Sequence, residues 1–191
     1  LAEFIMRYLR DSLANFKINQ PHLRFALYGT PQESTTGWFS EKLKAKFGVI
    51  EDITDKGWIT NSYHIDIREE IDAFEKLNIE SKLQYFSTGG AVSYIETNPM
   101  HDNVAAVLKL YEHMYETIIY SEINFESDVC GVCKHTGIMD NDPETLDWVC
   151  PVCGNRDQTK LSVVRRTCGY LGETTWTTGR KLDIINRVKH L

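Results

Sequence analysis

The sequence lacks several features that would assign it to common protein classes. No apolar run is long enough to cross a bilayer, and the first residues, LAEFIMRYLRDSL, are too charged for a signal peptide. Basic residues are not in excess, and the formal net charge of −6 argues against direct nucleic-acid binding, which depends on clustered Lys and Arg. Internal repeats and low-complexity tracts are absent as well. These absences predict a protein that has neither a membrane nor nucleic acid as its partner. Four of its cysteines form CxxC pairs, which are typical of metal sites in a reducing compartment, and this predicts a cytoplasmic location.

Cysteine is scarce, and its odd number, five, argues against a secreted scaffold built on disulfides. The chain of 191 residues is 42% hydrophobic and 25% charged, which is ordinary for a globular protein. This length suffices for one domain, or for a domain with a small appendage. The chain begins at Leu1 instead of a methionine, which suggests a fragment or a trimmed protein.

Hydrophobic periodicity predicts helices that alternate with strands. Apolar residues at helical spacing between Phe4 and Phe16 indicate an opening amphipathic helix. Further helices are predicted at 31–47, 66–79, 104–118 and around 182–188, and strands at 23–28, 58–65 and 91–95. This alternation favours βαβ units and a parallel or mixed sheet, so the fold class is predicted to be α/β.

Four of the five cysteines form two CxxC pairs, Cys130 with Cys133 and Cys150 with Cys153. The loop between the pairs has the length found in zinc ribbons, and two such turns facing each other complete a tetrahedral site of four sulfurs. Thiolates favour Zn²⁺, and a rubredoxin-like iron site is the less common alternative. Two disulfides or four unrelated thiols would also fit the pattern. A metal with four cysteine ligands has no open position and is therefore expected to be structural.

The segment RTCGYLG, which places Gly169 in its centre, is the most informative part of the sequence. Taken by composition alone, it is a strand that runs into a glycine turn. It resembles the signature around the radical glycine of glycyl radical enzymes, and the following GRKLDIINRVKHL resembles the closing helix of the anaerobic (class III) ribonucleotide reductases. A four-cysteine ribbon shortly before this loop is similar to the reductase branch of that superfamily. The upstream segments FALYGTPQEST, DKGWITNSYH and FSTGGAVSYIE also resemble that family.

This resemblance implies the C-terminal portion of a glycyl-radical-type β/α barrel. It implies barrel structure over residues 1–125, a zinc ribbon over 126–160, and the radical loop with a C-terminal helix over 161–191. Gly169 would carry the radical, installed by a separate activating enzyme that uses an iron–sulfur cluster and S-adenosylmethionine. The loop would have to leave a buried position to meet that enzyme. The full-length enzyme is expected to be a homodimer that reduces ribonucleoside triphosphates.

Two further groups of residues are candidates for binding substrate. Thr30, Pro31 and Glu33 fit the cap, first position and third position of a capped helix, and the turn through Ser34 resembles a TPAES-type loop of the family. Free N–H groups at such a helix start suit the phosphates of a nucleotide, although an ordinary helix cap fits equally well. Asn61 and Ser62 are predicted at a strand end, where barrel enzymes place functional side chains.

Other functions remain possible at this point. No cysteine is left over for the thiyl radical that attacks the ribose in this family, because four are committed to metal and Cys168 adjoins the glycine. The chain alone is therefore expected to be inactive as a reductase. One alternative is a zinc-ribbon module that binds protein or nucleic acid. Another is a small accessory protein that donates a glycyl radical to a damaged enzyme.

Overall fold

The computed structural model describes residues 1–167, 169, 171–173 and 176–190, in a mixed arrangement of helices and short strands. The helices are α1 (Ala2–Asn19), α2 (Thr36–Phe47), α3 (Ala73–Gln84), α4 (Val104–Thr117) and α5 (Thr178–Ile185). The strands are β1 (Ser93–Glu96), β2 (Ser121–Asn124), β3 (Asp128–Cys130), β4 (Thr136–Gly137), β5 (Asp140–Asn141), β6 (Trp148–Val149), β7 (Leu161–Ser162), β8 (Arg165–Arg166) and β9 (Leu171–Gly172). Within the described ranges, no helix has both the length and the apolar character needed to cross a membrane.

The middle of the chain contains one βαβ unit. Strands β1 and β2 pair in parallel, with Ser93 opposite Ser121, and α4 connects them. Helix α4 begins where the Asn103 side chain accepts a hydrogen bond from the Ala106 amide, so a first-turn donor is satisfied. Apolar side chains from α3, β1 and α4 form the core of this unit; its buried members are Ala73, Leu77, Ile95, Leu110, Met114 and Ile118.

The predicted helices are largely confirmed, but several have different bounds. Helix α2 begins at Thr36 instead of residue 31, and the helix expected around 182–188 is α5, Thr178–Ile185. The helix expected at 66–79 begins instead at Ala73, because Asp72 caps it by accepting hydrogen bonds from the Phe74 and Glu75 amides. The preceding acidic residue Asp66 pairs with Lys56 and Arg68 in a loop. Helix α2 ends as predicted at Phe47, and Gly48 follows it at a φ of 79°.

Two predicted strands are wrong. Between residues 58 and 65 the structure has turns, because side chains of neighbouring helices take up the backbone groups that a strand would pair. The Thr36 hydroxyl bonds both the N–H and the C=O of Ile59, and the Glu80 carboxylate accepts from the Ile65 amide. The segment 23–28 is reduced to one parallel bridge between Tyr28 and Gly90. The strand expected at 91–95 is confirmed as β1.

A second core lies beneath the cysteine-rich segment. Strand β3 pairs antiparallel with both β4 and β7, and β5 pairs with β6. The buried residues of this core come from the ribbon and from the chain that follows it: Cys130, Met139, Trp148, Cys150, Leu161, Val163 and Ile184, with Trp176 packed against them. Because Ile184 belongs to α5, the C-terminal helix and the ribbon share one hydrophobic core.

Helix α5 also packs closely against α2. The contact is made by two glycines: a Cβ added to Gly179 would lie 2.5 Å from the Gly37 Cα and 3.0 Å from the Gly57 carbonyl oxygen. Any larger residue would therefore force the helices apart. The N-cap of α5, Thr177, accepts a hydrogen bond from the Arg180 amide. Through these contacts α5 bridges the ribbon and the first half of the chain.

The end of the chain is tied to β1 by polar groups. The His190 amide donates to the Glu96 carbonyl, and His190 Nδ1 accepts from the Glu96 amide, each at 2.8 Å. Burial, followed by the nearby Lys76 charge, lowers the pKa of His190 to about 4, so the neutral imidazole is available as this acceptor. Arg187 pairs with the buried Glu96 carboxylate at 2.7 Å.

Candidate active site and metal centre

The structure brings Gly169 against the turn that contains Glu33. A Cβ at Gly169 would overlap Glu33 Oε1 and lie 3.1 Å from Glu33 Cδ and 3.2 Å from Pro31 Cγ. Only a glycine therefore fits at this position without movement of the Glu33 side chain. Gly169 itself is exposed in this chain, and the burial of its loop in a longer protein stays a prediction.

The Glu33 carboxylate is held by the segment that leads to Gly169. The Thr167 hydroxyl donates to Glu33 Oε2 at 2.7 Å, which leaves Oε1 on the side of Gly169. Thr167 is 1% exposed and Glu33 is half-buried, so this hydrogen bond is shielded from water on the Thr167 side. Two residues that are 134 positions apart in the chain are thereby joined.

The backbone of the same turn is held from α5 and has an uncommon conformation. Glu33 has a φ of 50°, in the left-handed region that non-glycine residues seldom occupy. The buried Arg180 guanidinium donates to the Glu33 carbonyl and also pairs with Asp183. The Thr177 hydroxyl donates to the Ser34 carbonyl at 3.4 Å. These contacts oppose the strain of the Glu33 conformation.

The proposed capping box at this turn is wrong. A short 3₁₀ helix over Glu33–Thr35 precedes α2, and neither helix start has a side-chain cap. Thr30 lies exposed ahead of the turn and caps nothing. Glu33 cannot reach back as the second half of a capping box, because its carboxylate bonds Thr167. The tertiary contact has replaced the local one.

Asn61 and Ser62 support the same turn from another side. The buried Asn61 side chain accepts from the Gln32 amide at 2.6 Å. The Ser62 hydroxyl donates to the Gly29 carbonyl at 3.2 Å, and Ser62 has a φ of 49°. The structure thus gathers Glu33, Ser34, Asn61, Ser62 and Gly169 around one turn. Their neighbour His64 is buried beside Glu80, with Nδ1 and Oε2 separated by 3.3 Å, and burial lowers its pKa.

Sequence reasoning missed Thr167 and Arg180. Thr167 stands two residues before Gly169, so its proximity to the glycine could have been read from the chain, but its bond to Glu33 could not. The contact of Arg180 with the Glu33 carbonyl has no sequence signal, because the two residues are 147 positions apart. Arg165 and Arg166, which the sequence left without a role, are both buried in ion pairs, with Asp128 and Glu122.

The four cysteines of the two CxxC pairs form a single cluster. Their Sγ atoms all lie within 4.8 Å of one another, with Cys130 and Cys153 at 3.7 Å and Cys133 and Cys150 at 3.6 Å. None of the four forms a disulfide. A tetrahedral ion with metal–sulfur bonds of about 2.3 Å requires sulfurs about 3.8 Å apart, so the cluster fits such an ion.

Both pairs adopt the same turn, which places their sulfurs on one side. The Lys134 amide donates to the Cys130 carbonyl, and the Gly154 amide donates to the Cys150 carbonyl, each at 2.9 Å. Lys134 and Gly154 follow the second cysteine of their pairs and have φ values of 63° and 70°. The two turns are therefore equivalent around the cluster, as in a ribbon with four sulfur ligands.

The thiols of the cluster differ in acidity. Hydrogen bonds from the backbone of Cys133 and Val132 lower the pKa of Cys130 to about 6. At Cys153, the Asn155 amide lowers the pKa, but burial and the three neighbouring thiols outweigh it and raise the pKa to about 12. Without a metal, the cluster would therefore retain protons that a bound ion displaces.

Known proteins resemble this chain over nearly its whole length. The family model described as anaerobic ribonucleoside-triphosphate reductase matches residues 1–190. The anaerobic ribonucleoside-triphosphate reductase of Enterobacteria phage T4 is 37% identical over 87% of this chain and 28% of that protein. Those of Haemophilus influenzae and Escherichia coli are 35% and 32% identical over 98% of this chain, and 26% of each relative is covered. The chain thus spans about a quarter of the length of these relatives.

A solved structure shares the fold. A chain described as an anaerobic ribonucleotide reductase superposes with a TM-score of 0.68 at 16% identity, over 97% of this chain and 28% of that one.

Proposed function

Because the chain belongs to the anaerobic ribonucleoside-triphosphate reductase family, we propose that it supplies the radical glycine and the metal site of such a reductase. The observation that carries the proposal is the position of Gly169, whose Cα lies against the Glu33 carboxylate, so that a Cβ would require the Glu33 side chain to move. In this role Gly169 would store the radical by which the enzyme reduces ribonucleoside triphosphates to deoxyribonucleotides.

Glycine suits this role for electronic and steric reasons. Loss of a hydrogen atom from Cα leaves a radical between an amide nitrogen that donates electrons and a carbonyl that withdraws them. Coplanarity of these groups stabilises the radical, and a side chain would crowd that arrangement. The contact with Glu33 adds a second restriction at the same atom. Glu33 thus lies directly beside the atom at which the proposed radical would form.

We further propose that the turn around Glu33 holds the substrate phosphates. Thr30 and Ser34 are exposed at this turn, where their hydroxyls are accessible to a nucleotide. Asn61 and Ser62 fix the turn by bonding the Gln32 amide and the Gly29 carbonyl. In this arrangement Asn61 and Ser62 position the binding residues, and the substrate would lie on the side that Gly169 faces.

Zinc is the metal that we assign to the four-cysteine cluster. Four thiolates at tetrahedral separation leave no open coordination position, so the ion would organise the ribbon and take no part in the reaction. Residues 126–160 contain seven acidic and three basic residues, which disfavours a ribbon that binds nucleic acid. The ribbon packs on α5 through Ile184, which supports a role in holding the segment around Gly169.

The other parts of the reaction would come from outside residues 1–191. The five cysteines are the four of the metal cluster and Cys168 beside the glycine, so the thiyl residue would lie elsewhere in the reductase. The proposed partners are an activating enzyme with an iron–sulfur cluster and S-adenosylmethionine, the nucleotide substrate, and a second copy in a homodimer. We also propose that the barrel of this superfamily is completed by those other parts, and that the protein acts in the cytoplasm.

Anaerobic activation tests the proposal directly. The protein is incubated with an activating enzyme of this family, S-adenosylmethionine and a reductant, and then studied by electron spin resonance. We expect a doublet signal from the radical and, after exposure to air, backbone cleavage at Gly169 detected by mass spectrometry. The absence of both, in this chain and in a longer reductase that contains it, would contradict the proposal and favour a binding module.

A further inference from the structure

Strand β8, which leads to Gly169, is anchored on both of its faces. Adjacent residues of a strand point in opposite directions, so Arg165 and Arg166 leave β8 on opposite sides. Arg165 pairs with Asp128 of the ribbon, whereas Arg166 donates to Glu122 of β2 at 2.9 Å. Strand β8 pairs in turn with β9 on the other side of Gly169 in the chain. The two strands thus form a stem whose position depends on these two arginines.

The Arg165 anchor is the more deeply buried of the two. Its side chain is 5% exposed and that of Asp128 is 0% exposed. Arg165 Nη1 donates to Asp128 Oδ1, and Arg165 Nη2 donates to Asp128 Oδ2 at 2.7 Å. Asp128 Oδ2 also accepts from the Met139 amide at 2.9 Å, which fixes the carboxylate in the ribbon. A bidentate, desolvated ion pair of this kind defines both the distance and the relative orientation of the Arg165 and Asp128 side chains.

Arg165 touches both halves of the metal centre. Asp128 precedes Cys130 by two residues, and Trp148 precedes Cys150 by two residues. The Arg165 guanidinium lies over the Trp148 ring at 5.3 Å from its centre. One side chain therefore contacts the segments that carry one cysteine of each pair. A metal ion that fixes Cys130 and Cys150 would also fix the carboxylate and the ring between which Arg165 is held.

We propose that Arg165 is a positioning residue through which the metal-bound ribbon orders the β8–β9 stem and holds Gly169 against Glu33. This inference rests on the proposed function, because it presumes a metal in the cluster and a role for Gly169. Arg165 stands four residues before Gly169 and touches none of the reacting atoms. Its effect is mechanical: when the ribbon is closed by metal, the stem has one position, and when the ribbon is open, the stem loses its anchor.

Hydrogen exchange followed by mass spectrometry tests this coupling without any radical. Amide exchange of peptides covering β8 and β9 is compared in zinc-loaded and zinc-free protein. In the wild type we expect zinc removal to accelerate exchange of these strands by at least about tenfold, equivalent to about 1.4 kcal/mol of opening free energy. In Arg165→Gln we expect fast exchange even with zinc bound, and less than about a twofold further increase when zinc is removed.

Arg166→Gln is the matched control, because it removes the anchor on the opposite face of the same strand. It should retain the full dependence of stem exchange on zinc. Asp128→Asn, which keeps the shape of the side chain and removes its charge, should behave as Arg165→Gln does. Both Arg165→Gln and Asp128→Asn should still bind one zinc ion per chain.

Several outcomes would overturn the proposal. One is stem exchange in the wild type that does not respond to zinc, and another is a normal zinc response in Arg165→Gln. Loss of zinc or of the fold in both Arg165→Gln and Asp128→Asn would also overturn it, since the pair would then merely hold the ribbon together. The radical yield is read separately: a wild type with zinc-dependent exchange but no radical would contradict the proposed function and leave the coupling intact.

Discussion

The four-cysteine cluster and the Gly169 site are assembled in opposite ways. Each half of the cluster is a turn of a few residues. The sulfurs that meet across the cluster belong to cysteines only 17 positions apart (Cys133 and Cys150) and 23 positions apart (Cys130 and Cys153). The Gly169 site joins segments 134 and 147 positions apart, through Thr167 and Arg180. The cluster therefore depends on local turn geometry and one ribbon, whereas the glycine site depends on how α2, β8 and α5 pack together.

This difference affects what each site tolerates. In the cluster, the ligands are interchangeable in chemistry, and a metal ion would supply the energy that closes the ribbon. In the glycine site, one atom must approach a carboxylate, and its position is set by hydrogen bonds that each contribute modestly. We therefore expect substitutions in the cluster to act through metal binding, and substitutions around Gly169 to act through geometry.

The largest effect is expected for Gly169→Ala, which adds a Cβ that would overlap Glu33 Oε1. The radical signal after activation should fall below detection. The control is Gly48→Ala, which also replaces a glycine but has no atom within 4 Å of the added Cβ, so only its left-handed φ of 79° is strained. Spin resonance on both variants checks the expectation.

A double variant separates the two reasons for requiring glycine. Glu33→Ala combined with Gly169→Ala removes the overlap but leaves the alanine Cα poorly suited to a stable radical. We expect no signal from this double variant even when its circular dichroism matches that of the wild type. Recovery of the radical would show that crowding by Glu33 alone excludes alanine. The electronic reason for requiring glycine at this position would then be contradicted.

Cys150→Ser should have the next largest effect, confined to the ribbon and the stem that it holds. Loss of outer-shell partners already weakens metal sites by about 10- to 100-fold, so loss of a ligand should reduce zinc affinity by more than about 100-fold. Zinc content and competition with a chelator measure this. Val152→Ser is the control within the same turn, since Val152 is 67% exposed and should bind zinc normally. Undiminished zinc affinity in Cys150→Ser would contradict the four-sulfur site.

The smallest effect is expected for Thr167→Val, which preserves the shape of the side chain and removes the hydrogen bond to Glu33. Because Glu33 is only half-buried, loss of this hydrogen bond should lower the free energy of unfolding by about 0.5–1.5 kcal/mol, as for a typical hydrogen bond. Thr167→Ser keeps the hydroxyl and should recover most of the loss. Urea denaturation of the zinc-loaded proteins measures the difference, and equal stability of Thr167→Val and wild type would argue against this bond.

The sequence alone determined the features that depend on short spacing. The two CxxC pairs predicted one cluster, and their sulfurs converge as expected, because each pair needs only its own turn. Helical periodicity over 104–118 predicted α4, since apolar residues at helical spacing within one short segment define an amphipathic helix. The segment RTCGYLG identified the family through resemblance, and the comparisons bear that out.

Only the tertiary structure determined the hydrogen bonds and ion pairs whose two partners lie far apart in the chain. Glu33 fits a local capping box by sequence, yet its carboxylate bonds Thr167, and Ile59 pairs with Thr36 instead of entering a strand. In each case a hydrogen bond to a distant group replaced the local one, and burial made that choice favourable. The ion pair of Arg165 with Asp128 is another such contact. Periodicity and spacing describe neighbours along the chain, and these partners become neighbours only after folding.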